Sequence, residues 1–181
     1  SGYQFLVDSG FHPRRIAVAG DSAGAGLAVA LLVRLKELGM RQPAGALLFS
    51  PWVDMTATAD SYSRNAKRDP VLNREIMQLL AEQYLGKRPR ETPLASPVFA
   101  DLGSIAPLTI FVGATEALLD DALALARAAG LADVSVRLEI WPGMFHVWPN
   151  YHQVLAQGRQ GAVRAGRLLR EAVEAALNGE D

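Results

Sequence analysis

The pentapeptide Gly20-Asp21-Ser22-Ala23-Gly24 lies between two segments of contrasting pattern, and this setting constrains the fold more than any other feature. The apolar run at residues 16–19 is typical of a short buried strand, and the leucines at residues 27, 31, 35 and 38 recur at helical spacing. The pentapeptide is therefore predicted to form a strand-to-helix turn, sharp enough to strain the backbone of its serine. Such a turn favours glycine two residues before and two residues after the serine.

This turn gives Ser22 the setting of a nucleophile. Its hydroxyl is lifted clear of the sheet and lies at a helix N-terminus, where free amide groups and the helix dipole favour negative charge. The amide N–H of Ala23 is then a candidate donor to an oxyanion. A plain tight turn would show the same five-residue pattern. The interpretation of Ser22 as a nucleophile therefore depends on the predicted strand before the pentapeptide and the predicted helix after it.

The composition excludes several classes of function. The 181 residues carry a formal net charge of −1 with both signs dispersed, which argues against a nucleic-acid surface and a polybasic membrane anchor. The sequence has no cysteine, which removes disulfides, thiolate metal sites and a cysteine nucleophile, and no apolar stretch reaches the length of a membrane span. We therefore expect a small-molecule ligand, no nucleic acid, no membrane, no metal, no cofactor and a cytoplasmic location.

Apolar runs alternate with helical patterns along the chain. Strands are predicted at residues 16–19, 44–49, 108–112 and 134–141, and the last run alternates apolar and polar residues as an edge strand does. Helices are predicted at residues 3–10, after the pentapeptide, from Leu118 to Ala129 with Gly130 as the cap, and at the end of the chain. This alternation predicts an α/β fold, with a mostly parallel sheet flanked by helices.

Residues 52–106 interrupt the alternation. The segment is rich in Asp, Ser, Arg and Pro and contains one helical patch around Ile76 to Leu85. Long excursions at the active-site edge of a sheet often act as lids, although a surface excursion without a function is the alternative. We therefore predict a core part at residues 1–51, a cap-forming insertion at 52–106, and a continuation of the core at 107–181.

A serine hydroxyl needs a base that takes its proton, and His146 is the favoured candidate. It follows the last predicted strand, at the same carboxyl edge of the sheet as Ser22. His12 precedes the first strand, whereas His152 lies near the start of the last helix and stays as an alternative.

An acid must orient that base, and the loop after the third strand offers Glu116, Asp120 and Asp121. The two aspartates also suit the first turn of a helix for purely electrostatic reasons, whereas Glu116 lies nearest to the strand end. The order serine, acid, histidine along the chain is the one expected of an α/β-hydrolase.

An ordered set of motifs resembles the hormone-sensitive-lipase-like carboxylesterases, bacterial family IV of the α/β-hydrolase superfamily. The resemblance covers nearly the whole chain and implies an α/β-hydrolase fold with a helical cap. It also implies hydrolysis of short-chain carboxylic esters through an acyl-enzyme. The motifs are Gly-Asp-Ser-Ala-Gly-Ala-Gly-Leu-Ala from Gly20, Ser50-Pro51-Trp52-Val53-Asp54, Ser96-Pro97, the stretch at 112–121, and Pro142-Gly143-Met144-Phe145-His146.

The resemblance assigns the acid to Glu116, where the family more often has aspartate, and Asp120 is the fallback. Ser22, Glu116 and His146 are then the predicted catalytic residues, with the Ala23 amide in the oxyanion hole. The side chains predicted to wall a pocket for the acyl or alcohol group, unless they serve plain packing, are Trp52, Met144, Phe145 and Trp148.

The family also carries a His-Gly-Gly-Gly motif upstream of the nucleophile that supplies further oxyanion donors, and no such motif precedes Ser22. We therefore expect this chain to be the C-terminal portion of a longer protein, with half of the sheet, and to be inactive alone. The upstream segment is then an expected partner, and a homodimer through the last strand and helix is a further expectation. An amidase or deacetylase with the same triad and a non-catalytic hydrolase-like binding protein are the alternative functions.

Overall fold

The computed structural model describes residues 2–178, so the predicted limits at residues 1 and 181 lie outside the described residues. Short 3-10 turns occupy Pro13–Arg15, Pro97–Phe99 and Trp148–Tyr151. No helix within the described range is long and apolar enough to cross a membrane. The helices and strands are α1 (Gly2–Asp8), β1 (Ala17–Asp21), α2 (Ala23–Glu37), β2 (Gly45–Phe49), α3 (Ser61–Arg64), α4 (Arg74–Leu85), β3 (Leu108–Gly113), α5 (Leu119–Leu131), β4 (Val136–Trp141) and α6 (Ala156–Asn178).

The strands form one parallel sheet in the order β1-β2-β3-β4. Their carboxyl ends are nearly level, because Asp21 pairs with Phe49 at the end of β1 and Gly113 pairs with Trp141 at the end of β3. The loops that leave these ends therefore start at one edge of the sheet. The predicted α/β fold with a parallel sheet is confirmed.

Apolar side chains cover both faces of the sheet. Helices α2 and α5 pack on one face, over Leu48 and Ile110. Helix α6 packs on the other face, over Leu47 and Phe111. Leu47 and Leu48 are neighbours in β2 that point to opposite faces, as strand geometry requires. A strand that is buried on both faces has a continuous apolar sequence, and β2 is such a strand.

The outer strands of the described sheet are β1 and β4. The prediction of an edge strand at the end of the sheet is confirmed, although the polar residues of β4 are not all exposed. Glu139 is half-buried because Arg164 of α6 covers it, with Nη2 2.6 Å from Oε1. A homodimer through β4 and α6 stays a prediction.

The excursion at residues 52–106 is joined to the core at both ends. Val53 and Ile105 pack in the same cluster as α2 and α5. Between them, Tyr62 and Met77 form a second buried cluster with Leu118, which immediately precedes α5. The middle of the excursion therefore lies against the segment that follows β3. Its role as a cap stays a prediction.

Candidate active site

Ser22 occupies the turn between β1 and α2 with a strained backbone, at φ 52° and ψ −120°. Gly20 is required there, since a Cβ at this position would lie 2.2 Å from the carbonyl oxygen of Gly24. Gly24 is under no such steric constraint, since the nearest atom to an added Cβ is Asp21 Oδ1 at 3.7 Å. The predicted sharp turn is present, but its steric demand falls on Gly20, two residues before the serine, and not on Gly24.

His146 lies in the loop after β4 and meets Ser22 across 124 residues of sequence. Its Nε2 is 2.9 Å from Ser22 Oγ, and the residue is 4% exposed. The other two histidines lie elsewhere: Nδ1 of His12 accepts from the amide of Arg14, and His152 is an exposed residue after the 3-10 turn. The structure therefore brings His146 to the serine, and the alternative His152 does not occupy that position.

Glu116 completes the arrangement. Its Oε2 is 3.1 Å from His146 Nδ1, and the residue is completely buried. Its other oxygen, Oε1, accepts from the amide of Gly113 at 2.5 Å and from the hydroxyl of Ser50 at 2.8 Å. A buried carboxylate is costly unless its oxygens are hydrogen-bonded, and both oxygens of Glu116 have partners.

The two alternative acids point away from His146. Asp120 accepts from the amide of Ser61 at 2.7 Å and pairs with Arg64 at 2.8 Å. It therefore fixes α3 against the start of α5 and does not fill the acid position beside the histidine.

Asp121 is buried and accepts from the backbone amides of Val53 and Asp54. Burial raises the pKa of the Asp121 carboxyl well above its ordinary range, and the nearby charge of Asp54 raises it further. Burial also raises the pKa of Tyr62. The Tyr62 hydroxyl lies beside the Asp121 carboxyl, and each group shifts the pKa of the other. Asp121 therefore anchors the loop after β2 rather than the histidine.

The loop that carries His146 makes hydrogen bonds with the segment that follows β3 and with the end of β1. The carbonyl oxygen of Met144 accepts from the hydroxyl of Thr115 at 2.7 Å, and an added Cβ on Gly113 would lie 2.1 Å from that oxygen. Beyond the histidine, the side-chain amide of Asn150 donates to Asp21 at 3.0 Å. These contacts tie the histidine loop to the ends of both β3 and β1.

Sequence reasoning missed three buried polar residues at this site. Asn65 donates to the carbonyl oxygen of Glu116 at 2.8 Å, and Asp69 accepts from the amide of Ala117 at 2.7 Å. Ser50 contacts the Glu116 carboxylate itself. For Ser50 a signal was available, because it follows β2 directly and so lies at the same edge as Ser22. Asn65 and Asp69 lie in the irregular excursion, where no periodic pattern marks them.

An apolar cavity of about 270 Å³ opens beside Ala23, the residue after the serine. It joins α2 and α4 with the loop after β2, and its larger lining residues are Leu27, Trp52, Met55, Leu80, Tyr84 and Leu94. Of the four residues predicted to wall a pocket, Trp52 lines this cavity.

The pocket prediction is wrong for Trp148. This side chain is completely buried in the cluster with Leu168 and Phe111, and its ring packs on Trp141 with centroids 5.6 Å apart. Its large apolar surface is used to attach α6 to the sheet. Met144 and Phe145 are half-buried against the same cluster and do not line the cavity beside Ala23.

Ala23 is the first residue of α2, and the first amides of a helix have no intrahelical acceptor. Its N–H is therefore suited to receive negative charge next to Ser22. In the described part of the chain, no three His, Asp or Glu side chains are grouped so that they could hold a metal ion. The arrangement offers nucleophile, base and acid in one hydrogen-bonded series.

Comparison with known proteins agrees with this geometry. The sequence matches the family described as alpha/beta hydrolase fold over residues 3–150. It is 44% identical over 172 residues to an acetyl-hydrolase of Streptomyces hygroscopicus, with 95% of this chain and 58% of that protein covered. It is 39% identical over 163 residues to an esterase of Acinetobacter venetianus, with 85% and 54% covered.

Solved structures give the same result. An esterase from the bacterial hormone-sensitive lipase family superposes with a TM-score of 0.93 at 45% identity, covering 94% of this chain and 58% of that one. An esterase/lipase from an uncultured bacterium gives 0.92 at 42% identity, with 95% and 58% covered. The chain thus spans somewhat more than half the length of these relatives. It belongs to the α/β-hydrolase fold family, and it is similar to bacterial esterases, one of which is from the hormone-sensitive lipase family.

Proposed function

We propose that the protein is a serine esterase that hydrolyses short-chain carboxylic esters through an acyl-enzyme. The observation that carries the proposal is the series of two hydrogen bonds from Ser22 Oγ to His146 Nε2 at 2.9 Å and from His146 Nδ1 to Glu116 Oε2 at 3.1 Å. Each hydrogen bond joins side chains from two different loops, which meet at one edge of the sheet. Serine needs this help, because its hydroxyl is a weak nucleophile at neutral pH.

In the acylation step, Ser22 Oγ bonds to the ester carbonyl carbon while its proton passes to His146 Nε2. The Ala23 amide donates to the oxygen that becomes negative. The carbon–alkoxy bond then breaks, and His146 returns the proton to the departing alcohol. In the second half, the same nitrogen takes a proton from water, whose oxygen attacks the acyl carbon, and the acid leaves as Ser22 regains its proton.

Glu116 keeps the histidine ring in the useful orientation. When Nε2 accepts from the serine, the ring proton lies on Nδ1 and faces Glu116 Oε2. The carboxylate then stabilises the positive charge that develops on the ring during proton transfer. Its complete burial leaves this charge poorly screened by water, which strengthens the interaction.

The apolar cavity beside Ala23 supports a small acyl or alcohol group as the substrate portion bound there. A cavity of about 270 Å³ lined by Leu27, Trp52 and Tyr84 offers no charge to a polar substrate. The relative from Streptomyces hygroscopicus is named an acetyl-hydrolase, and one solved relative was soaked with p-nitrophenyl butyrate. Both names fit an ester with a short acyl chain.

The test is the substitution Ser22→Ala. Because this chain spans 58% of the acetyl-hydrolase it matches, the assay uses the full-length natural protein. We expect kcat for p-nitrophenyl acetate and butyrate to fall by a factor on the order of 10⁵ to 10⁶. The control is Ser9→Ala. Ser9 is an exposed serine whose hydroxyl donates to the carbonyl oxygen of Phe5, and its substitution should leave kcat unchanged.

Undiminished hydrolysis by Ser22→Ala would contradict the proposal. Anilides with the same acyl groups as the two esters are assayed in parallel. An amidase with the same triad would hydrolyse the anilides at a rate comparable to that of the esters, whereas an esterase would not. A binding protein would bind the ester and release it unhydrolysed.

A further inference from the structure

We propose that Ser50 is a positioning residue for the esterase reaction: its hydroxyl holds the Glu116 carboxylate and the backbone after His146 in one fixed relation. This inference rests on the proposed function. Ser50 follows β2 directly, and its amide donates to the carbonyl oxygen of Phe111 at 2.7 Å. The residue is completely buried between the acid loop and the histidine loop.

The hydroxyl of Ser50 makes two hydrogen bonds with different roles. It donates its proton to Glu116 Oε1 at 2.8 Å, and it accepts from the amide of Val147 at 3.0 Å. Val147 is the next residue after His146, so one oxygen atom links both partners of the Nδ1–Oε2 contact. The loop with Glu116 follows β3, and the loop with His146 follows β4.

This link decides which carboxylate oxygen faces the histidine. Oε1 of Glu116 receives two donors, Ser50 and the amide of Gly113. With that oxygen saturated, Oε2 is left to accept from His146 Nδ1 at 3.1 Å. Without Ser50, Oε1 keeps one donor, and the glutamate side chain regains freedom to rotate away from the ring. A glutamate needs this restraint more than an aspartate would, because it has one more rotatable bond.

Backbone strain marks the same contact. Ser50 has φ 47° and Val147 has φ 49°, in the left-handed region that β-branched residues such as valine rarely adopt. Strained conformations persist only where the surroundings hold them, and they cluster at functional sites. The hydrogen bond between these two residues is such a restraint, since it fixes the amide of the strained valine.

The test compares three variants of the full-length natural protein. Ser50→Ala removes the hydroxyl, and Ser50→Gly removes it while relieving the strain at positive φ. The matched control is Ser96→Ala. Ser96 is also a buried serine before a proline, and its hydroxyl accepts from Met55 and donates to Arg90, away from the triad.

We expect kcat to fall about 10- to 100-fold in both Ser50 variants while KM stays within about threefold, since a small misplacement of a catalytic group is costly. The second readout is the downfield proton resonance of His146 Nδ1, which should move or broaden in both variants. Ser96→Ala should leave the resonance and kcat unchanged.

Wild-type kcat and an unchanged resonance in Ser50→Gly would overturn the inference. An equal loss of kcat in the Ser50 variants and in Ser96→Ala, with the resonance unmoved, would also overturn it, because the loss would then be one of general stability. Failure of the proposed function has a different signature, since Ser22→Ala would then retain activity.

Discussion

At the scale of single residues, Glu116 is the least usual member of the proposed site, because the family that the sequence resembles more often has aspartate at this position. Glu116→Gln keeps the size of the side chain and an oxygen that accepts from Ser50 and Gly113. It removes the negative charge and places an amide donor, instead of an acceptor, opposite His146 Nδ1. We expect kcat to fall about 10⁴-fold with little change in stability, as when a triad carboxylate becomes an amide. Steady-state kinetics with p-nitrophenyl butyrate measure the effect.

The control for this substitution is Asp120→Asn, which alters the other candidate acid. Asp120 binds Ser61 and Arg64, so its amide variant should keep kcat within about threefold of wild type. A large loss in Asp120→Asn with activity retained in Glu116→Gln would reverse the assignment of the acid.

Asp121 predicts a pH dependence of stability. Its pKa is raised by burial above the ordinary 3.8, so the folded state holds the proton more tightly than the unfolded state. Ionisation therefore destabilises the fold as the pH rises above that value. Asp121→Asn cannot ionise, and its free energy of unfolding relative to wild type should increase from about pH 4 towards neutral pH.

Urea unfolding at a series of pH values measures this difference. Asp101→Asn is the control of opposite sign, because Lys36 lowers the pKa of Asp101, whose ionised form therefore stabilises the fold above that pKa. Its unfolding free energy relative to wild type should decrease as the pH rises to about 5 and stay constant above that, because Asp101 is then ionised in both the folded and the unfolded state. A difference for Asp121→Asn that stays flat or decreases with pH contradicts the account.

Sequence reasoning reached His146 and Glu116 because each follows a strand end closely, at the edge where Ser22 lies. It failed for Trp148, whose place beyond the histidine suggested a pocket wall. Distance along the chain from a strand end gives the edge of the sheet, but it does not give the direction of a side chain. Burial against α6 and the sheet decided that direction, and such packing is not visible from the position of Trp148 along the chain.

At the scale of elements, the close approach of the histidine loop to β3 depends on Gly113. A methyl group there would lie 2.1 Å from the carbonyl oxygen of Met144 and 2.9 Å from Glu116 Oε1. Gly113→Ala should therefore destabilise the fold by about 1–3 kcal/mol and lower kcat about 100-fold, since the loop must move. Thermal unfolding and ester hydrolysis measure the two effects.

Gly130→Ala is the matched control. An added Cβ there meets no atom within 4 Å, and α5 continues through Gly130 to Leu131. The variant should keep full activity and gain about 0.5–1 kcal/mol of stability. Wild-type stability and kcat in Gly113→Ala would show that the loop does not need this close approach.

The structure corrects two sequence predictions at this scale. Gly130 was expected to cap α5, but the left-handed residue after the helix is Asp133, at φ 60°. In α2 the leucine spacing gave the helix correctly, yet Leu27 and Leu38 are 58% and 54% exposed. The residues of α2 that pack in the cluster covering the sheet include Ala28, Val29, Leu32 and Val33. Periodicity identifies a helix better than it identifies the buried face of an alanine-rich one.

At the scale of the whole molecule, the alternation of strands and helices was sufficient to predict the parallel sheet. Parallel strands need crossovers, and the loops after them must gather at one edge. The excursion at residues 52–106 was recognised only as an interruption. Its contacts with the acid loop through Asn65 and Asp69 depend on tertiary structure that no local pattern encodes.

The cavity beside Ala23 is likewise a product of tertiary structure, since it joins α2, α4 and the loop after β2. Leu27→Trp should partly fill it and lower kcat/KM for a hexanoate ester more than for an acetate ester, by about tenfold in the ratio. Leu131→Trp, at a site on α5 that is 73% exposed, is the control. An unchanged ratio in Leu27→Trp would mean that the acyl chain binds elsewhere.

The central claim is that His146 activates Ser22 as a nucleophile. The most direct measurement is the rate at which a fluorophosphonate labels the full-length natural protein, followed by peptide mass spectrometry. We predict one equivalent of label on Ser22, and a rate about 10²- to 10⁴-fold lower in His146→Ala. Label on another residue, or an equal rate in His146→Ala, would contradict the account.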